Sequence, residues 1–413
     1  MQTGSQTMPA ASVTRQAVEE ARERIRGAVY YSPCEHSTTL SKVSGQNVFL
    51  KLENLQRTGA YKERGALNRI LLLSEAERRQ GVVTASAGNH AQGVAFHASR
   101  HGISAKIVMP TMTPLVKVNA TAGYGAEIVL HGSGYDEAYE EALRLAGLEG
   151  RVFIHPFDDP FVIAGQGTIG LEILEQVPDV EAIVIPVGGG GLISGIACAL
   201  KETRPSLKII GVQAARMPSM MEALKSHCPR EIPLNSTIAD GIAVRRAGAV
   251  TLPIVEKYVD EVVAVEEEEI ASGILTLLER EKTLAEGAGA AAIAALLHHK
   301  TSLRGQKTVA IVSGGNIDVT LLSRIIQRGL VKDGRQVRMQ IHLADRPGSL
   351  QNLTKLIASH NANIVELQFD RAYYGVSLGD TLIDITLEAR RPDHIQELLE
   401  ALVEAGYRHE RVT

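Results

Sequence analysis

The chain has 413 residues, enough for about two or three domains of typical size. Hydrophobic residues make up 45% and charged residues 22%, and the formal net charge is −4; this is ordinary globular composition, with no basic footprint for nucleic acid or an anionic membrane. No apolar run approaches the roughly 20 residues that span a bilayer, and Cys34, Cys198 and Cys228 are too scattered for a disulfide framework or zinc knuckle, so a cytoplasmic, reducing setting is expected.

Residues 1–10 are polar, without a signal pattern, and are expected to form a flexible leader. The run 48–52 is apolar and β-branched and predicts a first strand; Lys51 inside it has no glycine nearby and reads as structural. Then comes Thr58-Gly59-Ala60-Tyr61-Lys62-Glu63-Arg64-Gly65-Ala66. Gly59 frees the backbone for a tight turn and Gly65-Ala66 lets a following helix pack closely, so Lys62 can point into a cleft. A second strand, 81–84, leads into Ser86-Ala87-Gly88-Asn89-His90-Ala91-Gln92-Gly93. In α/β proteins ligands bind at the carboxyl ends of strands. Here the Ser86 hydroxyl and the loop N–H groups can take a carboxylate, and the Asn89 amide can donate to a phenolate oxygen.

Strands are predicted over 105–109 and 127–130, and an amphipathic helix over 137–148. Gly165-Gln166-Gly167-Thr168-Ile169-Gly170 matches the dinucleotide fingerprint G-x-G-x-x-G, but the acidic residue required about 20 positions on is missing, because Val187-Gly188-Gly189 stands there. It reads as a helix start that needs close backbone packing. The strand 182–187 runs into Gly188-Gly189-Gly190-Gly191-Leu192. Consecutive glycines cost about 1 kcal/mol each relative to alanine in regular structure, and a phosphate held on bare N–H groups at a helix start supplies a reason for that cost. A lysine amine forms a Schiff base with an aldehyde. Pyridoxal phosphate is the common cofactor carrying both an aldehyde and a phosphate.

Strands at 208–212 and 261–265, a helix at 268–280 and a strand at 308–312 continue the alternation of an α/β protein with parallel sheets. Ser313-Gly314-Gly315-Asn316 closes the last strand, where the Ser313 hydroxyl can meet a pyridine nitrogen. The histidines lack metal-ligand spacing, and no metal is expected. Near 332–335 the rhythm changes. Alternating strands at 337–343, 363–369 and 380–388, with helices to His360 and over 392–405, predict a ferredoxin-like β-α-β-β-α-β unit.

Taken in order, Ala60–Ala66, Ser86–His90, Gly188–Leu192, Thr237–Val244, Glu286–Ala290 and Ser313–Asn316 resemble the serine/threonine dehydratase family of fold-type II pyridoxal-phosphate enzymes. The residues after 331, with Asp345-Arg346-Pro347-Gly348-Ser349-Leu350, resemble an ACT regulatory domain. The resemblance implies a leader 1–10, a two-lobed tryptophan synthase β-like catalytic domain 11–331 with a smaller lobe of about 53–155 inserted in the larger, and an ACT domain 332–413. It implies that Lys62 holds pyridoxal phosphate, that Gly188, Gly189, Gly190, Gly191 and Leu192 bind its phosphate, and that Asn89 contacts the ring 3-oxygen and Ser313 the ring nitrogen. Ser86, Ala87, Gly88, Asn89 and His90 would hold the substrate carboxylate.

The implied activity is deamination of L-threonine to 2-oxobutanoate and ammonia, with L-serine to pyruvate on the side. Isoleucine or valine would act at Asp345–Leu350, and the assembly would be a homodimer or homotetramer. The sequence departs from the family at Ala60-Tyr61, where relatives often carry Ser-Phe, and at Ala215-Arg216, where a carboxylate near a cation is common. Racemases of the family place a serine where Ala87 stands. The alternatives are a hydroxyaspartate or serine dehydratase, a serine racemase, and a catalytically inactive amino-acid sensor.

Overall fold

A computed structural model describes residues 13–370 and 379–412, so the expected leader lies outside the described residues. The chain divides into two compact units at Asp318/Val319.

The first unit contains, in chain order, β1 (Cys34–His36), β2 (Asn47–Leu52), β3 (Val82–Ala85), β4 (Ala105–Met109), β5 (Glu127–Leu130), β6 (Val152–Phe153), β7 (Ala182–Pro186), β8 (Lys208–Ala214), β9 (Glu261–Val265) and β10 (Lys307–Val312). They make two sheets, β1-β2-β10-β7-β8-β9 and β5-β4-β3-β6. Every pairing is parallel except β1 with β2. The strands of the smaller sheet fall between β2 and β7 in the chain. All eight strands expected from the sequence of this unit form. The central ones, β3, β4 and β7, are buried throughout, whereas β5 and β9 are only partly covered because each is a sheet edge. β1 and β6 escape a sequence reading because two or three residues carry no periodicity.

Each sheet has its own apolar core. One gathers Ile183, Ile185, Ile193, Ile196, Ile209 and Val309, the other Val82, Val94, Ile107, Met109 and Ile154. Helices Lys62–Leu71, Pro160–Gln176 and Gly191–Leu200 pack at the junction. The G-x-G-x-x-G stretch lies in the middle of the second of these, not at a helix start; that start is set by Asp159, whose carboxylate accepts the amides of Phe161 and Val162, with Pro160 in the first turn. Its expected packing role holds. A Cβ on Gly167 would stand 2.5 Å from the Gly195 carbonyl oxygen, so these two helices meet backbone to backbone.

The second unit begins with helix Val319–Lys332 and continues through β11 (Gln336–Ala344), helix Ser349–Ser359, β12 (Asn363–Asp370), β13 (Asp380–Glu388), helix Pro392–Glu404 and β14 (His409–Arg411). The strands form an antiparallel sheet in the order β12-β13-β11-β14. Alternation along β11 and β13 puts Val337, Met339, Ile341, Ile383, Ile385 and Leu387 on the covered face, against Leu353, Ile357, Leu398 and Leu402 of the helices.

Candidate active site

Three sequence-distant segments meet around Lys62. Gly59 turns the chain at φ +75°, and Ala60 bridges to Gly314 beyond the end of β10. The Tyr61 amide donates to the Ser313 carbonyl (3.1 Å). Lys62 then opens its helix, half-buried, and its Nζ donates to the Pro156 carbonyl at 2.8 Å. Helix Asn89–Arg100 lies against the same turn, since a Cβ on Gly93 would sit 3.1 Å from Glu63 Cα. The structure therefore brings the lysine loop, the Ser86–His90 segment and Ser313 together.

The glycine run leaves β7 and starts helix Gly191–Leu200, with Gly190 at φ +100°. Among the described residues, no backbone carbonyl accepts from the amides of Gly188, Gly189 or Gly190. The loop is gripped from behind: Thr251 Oγ1 and the Gly248 amide both donate to the Gly189 carbonyl (2.6 and 3.2 Å). Asp158 holds that support by accepting from the amides of Ala249, Val250 and Thr251. The glycines also serve packing. A Cβ on Gly189 would stand 2.3 Å from the Phe157 ring, so part of the reason for the missing side chains is a neighbouring aromatic.

The electrostatics favour a reactive amine. Burial lowers the Lys62 pKa to about 8, against a smaller opposing pull from Glu286. Burial, aided by Asp240, pushes Glu286 up to about 7. Asn89 Nδ2 donates to Glu286 Oε1 at 2.6 Å, and Asn316 Nδ2 donates to Asn89 Oδ1 at 2.7 Å. Ser86 is half-buried, and its Oγ accepts from the Gly88 amide. Ala87 is half-buried beside it. The His90 ring is turned into the scaffold: its Nε2 pairs with the Ile154 carbonyl (3.1 Å), and burial followed by the charge of Lys62 lowers its pKa to about 3. A neutral imidazole held this way leaves the backbone N–H as the part of His90 that faces the helix start. Leu192 is buried in the large-lobe core, and Ser313 is 3% exposed.

Elsewhere, Arg216 is exposed and donates to the Ser236 carbonyl (3.0 Å). Among the described residues no cluster of three His, Cys, Asp or Glu side chains is placed to hold a metal. Burial pushes the Cys34 and Cys198 thiols up to about 12, while Cys228 is exposed. Asp345, Arg346, Pro347 and Gly348 form an exposed turn, with Gly348 at φ +89° preceding helix Ser349–Ser359. The sequence reading missed Glu286 and Asn316 as individual residues, although both lay inside motifs it singled out. It also missed Pro156, Phe157, Asp158 and Thr251, which sit in no glycine-marked segment.

The site suits pyridoxal phosphate: it offers a half-buried amine with a lowered pKa, bare loop amides at a helix start, and a terminal hydroxyl after β10. A family model described as pyridoxal-phosphate dependent enzyme matches residues 25–314. An L-threonine ammonia-lyase of Thermotoga maritima is 49% identical over 395 residues, covering 96% of this chain and 98% of the relative. Among solved structures, the processed form of threonine deaminase isoform 2 from Solanum lycopersicum is 37% identical with a TM-score of 0.72, covering 78% of this chain and 93% of that one. Maize serine racemase is 35% identical with a TM-score of 0.73, covering 78% and 99%.

Proposed function

The chain belongs to the pyridoxal-phosphate dependent enzyme family, and within it we propose that it deaminates L-threonine to 2-oxobutanoate and ammonia, with L-serine as a secondary substrate. The half-buried Lys62 amine, bonded to the Pro156 carbonyl and with a lowered pKa, is the observation that carries the chemistry. Similarity to an L-threonine ammonia-lyase along nearly the whole chain supports the substrate.

When bound, the cofactor supplies an aldehyde that captures amino groups and a ring that draws electron density from Cα. Lys62 Nζ would hold that aldehyde, and the amides of Gly188 to Leu192 would take its phosphate. Asn89 would donate to the ring oxygen, and Ser313 would meet the ring nitrogen. The Ser86–His90 amides and the Ser86 hydroxyl would orient the substrate carboxylate. The Lys62 amine, half-buried and with a lowered pKa, would serve as the base for the substrate Cα proton. Ser313 offers a hydroxyl where a carboxylate would fix a proton on the ring nitrogen, which suits loss of a leaving group over transamination. Ala87 has no atom to take a proton, so this position supplies no second base and racemisation stays minor.

Lys62→Ala removes the visible band of the cofactor-loaded protein and the release of ammonia from threonine; a retained band refutes the assignment. Release of ammonia from threonine, serine and 3-hydroxyaspartate separates the substrates, and the exposed, carbonyl-bonded Arg216 gives no support to the dicarboxylate reading. The β-α-β-β-α-β order from β11 to β14 supports an ACT-like regulatory domain; its exposed Asp345–Leu350 turn is where isoleucine or valine would bind, and the same reading has the protein act as a cytoplasmic homodimer or homotetramer. Among the described residues no helix is long and apolar enough to cross a membrane.

A further inference from the structure

The Asn89 side chain can present either of two faces, a carbonyl or an amine, and the two differ little in shape. Which one reaches the cleft is set by its neighbours. The chain of bonds starts at the Thr58 carbonyl, which can only accept. Asn316 Nδ2 donates to it at 2.7 Å, so the Asn316 amine must point that way. The other hydrogen of the same Nδ2 goes to Asn89 Oδ1 at 2.7 Å. Asn89 therefore turns its Nδ2 to Glu286, whose Oε1 accepts at 2.6 Å.

Each member is itself anchored. The Glu286 amide donates to the Gly314 carbonyl (3.1 Å), and the residue is 5% exposed. A Cβ on Gly314 would stand 2.4 Å from Glu286 Oε1 and 3.1 Å from Asn89 Nδ2, so position 314 has no room for a side chain beside this pair. A Cβ on Gly59 would meet Asn316 Oδ1 at 2.4 Å, which seats Asn316 directly over the lysine loop. Asn89 stands one helical turn before Gly93, the residue packed on the Lys62–Glu63 backbone, so its free face lies on the side of Lys62.

The geometry points to Asn316 and Glu286 as positioning residues: they fix the direction of the Asn89 amide so that an N–H, and never a carbonyl, is offered to the cofactor oxygen. The inference rests on the cofactor reading above and adds to it the source of the donor's polarity. With one hydrogen of Nδ2 committed to Glu286, the second is the one that remains for the ligand. Aspartate at 316 keeps the shape and loses both donors, which removes the bond that pins Asn89 Oδ1. Glutamine at 286 keeps a carbonyl acceptor for Asn89, and alanine there does not.

The test titrates pyridoxal phosphate into apo-protein, followed by absorbance, with thermal unfolding of each apo-variant alongside. Asn316→Asp and Asn89→Ala each raise the dissociation constant about tenfold and shift the visible maximum alike, and the double variant loses nothing further. Glu286→Gln stays within about threefold of wild type, whereas Glu286→Ala behaves as Asn89→Ala. Should Asn316→Asp fail to fold, the two Glu286 variants make the same comparison. Effects that multiply in the double variant, or equal losses in Glu286→Gln and Glu286→Ala, overturn the inference while leaving the cofactor reading intact. A wild-type apo-protein that takes up no pyridoxal phosphate overturns both.

Discussion

Lys62 and Glu286 are each displaced from their ordinary protonation, in opposite senses, and the apo-protein should record this as a pH profile. Glu286 has a folded pKa of about 7 against an ordinary value of 4.5, so between these limits the folded state holds the extra proton and stability falls as pH rises. Lys62 has a folded pKa of about 8 against 10.5, so in that window the unfolded state holds the extra proton and stability climbs with pH. Denaturant unfolding of apo-protein across pH should show both limbs. Glu286→Gln should remove the lower and Lys62→Met the upper; unchanged limbs would show that other groups titrate there. The same lowered pKa sets reactivity. Capture of pyridoxal phosphate by the apo-protein should accelerate about tenfold per pH unit below about 8 and level off above it, following the neutral amine.

The helix that begins at Lys62 is held by a buried charge network two residues further on. Arg64 pairs with Glu53 (2.8 Å) and Glu172 (2.6 Å), and Glu172 also accepts from Lys51 (2.6 Å). Two cations balance two anions, and Ser32 and Gln176 satisfy the remaining atoms. Removing one partner leaves uncompensated charge in the interior, at about 3–5 kcal/mol. Glu172→Ala should therefore lower the unfolding free energy, read from the denaturant midpoint and slope, by that amount, and Glu172→Leu with Lys51→Met should recover part of it, the two changes being coupled. Lys51 was legible as structural because it stood in a strand without a glycine beside it. The network itself was not legible, because its charged members lie up to 121 residues apart and only the packing of strand β2 with the helices Lys62–Leu71 and Pro160–Gln176 brings them together. The same distinction runs through the site. Local grammar singled out Lys62, the glycine run and Ser313 as candidates, each carried by a strand end or a turn that leaves a mark in the sequence. Asp158, Thr251 and the Asn316–Asn89–Glu286 chain act through single side chains across long loops, and single polar residues look alike until their partners are known. The helix containing Gly165, Gly167 and Gly170 shows the converse: the close packing was readable, but its helical position was not, because the cap that starts it is an Asp-Pro pair five residues upstream.

Each unit of the molecule closes its own core, and this predicts what a cut between them does. The parallel sheets of residues 13–318 bury their apolar sets within that span, and every side chain assigned to the cofactor lies inside it. The helix Val319–Lys332 groups with the second unit, so Asp318 is the place to divide the chain without splitting that unit. A protein ending at Asp318 should keep its visible cofactor band and its release of ammonia from threonine. Loss of both would show that the second unit completes the site. If that unit senses isoleucine or valine, these amino acids should alter the full chain's rate and leave the truncated chain's rate unchanged. Linkage makes the matching demand that an effector changing threonine affinity be bound with affinity changed by threonine in turn. Calorimetric titration of isoleucine into full-length Lys62→Ala, with and without threonine, measures the effector site without turnover. Equal inhibition of the full and truncated chains would move the effector into the first unit, and the exposed Asp345–Leu350 turn would lose its regulatory assignment.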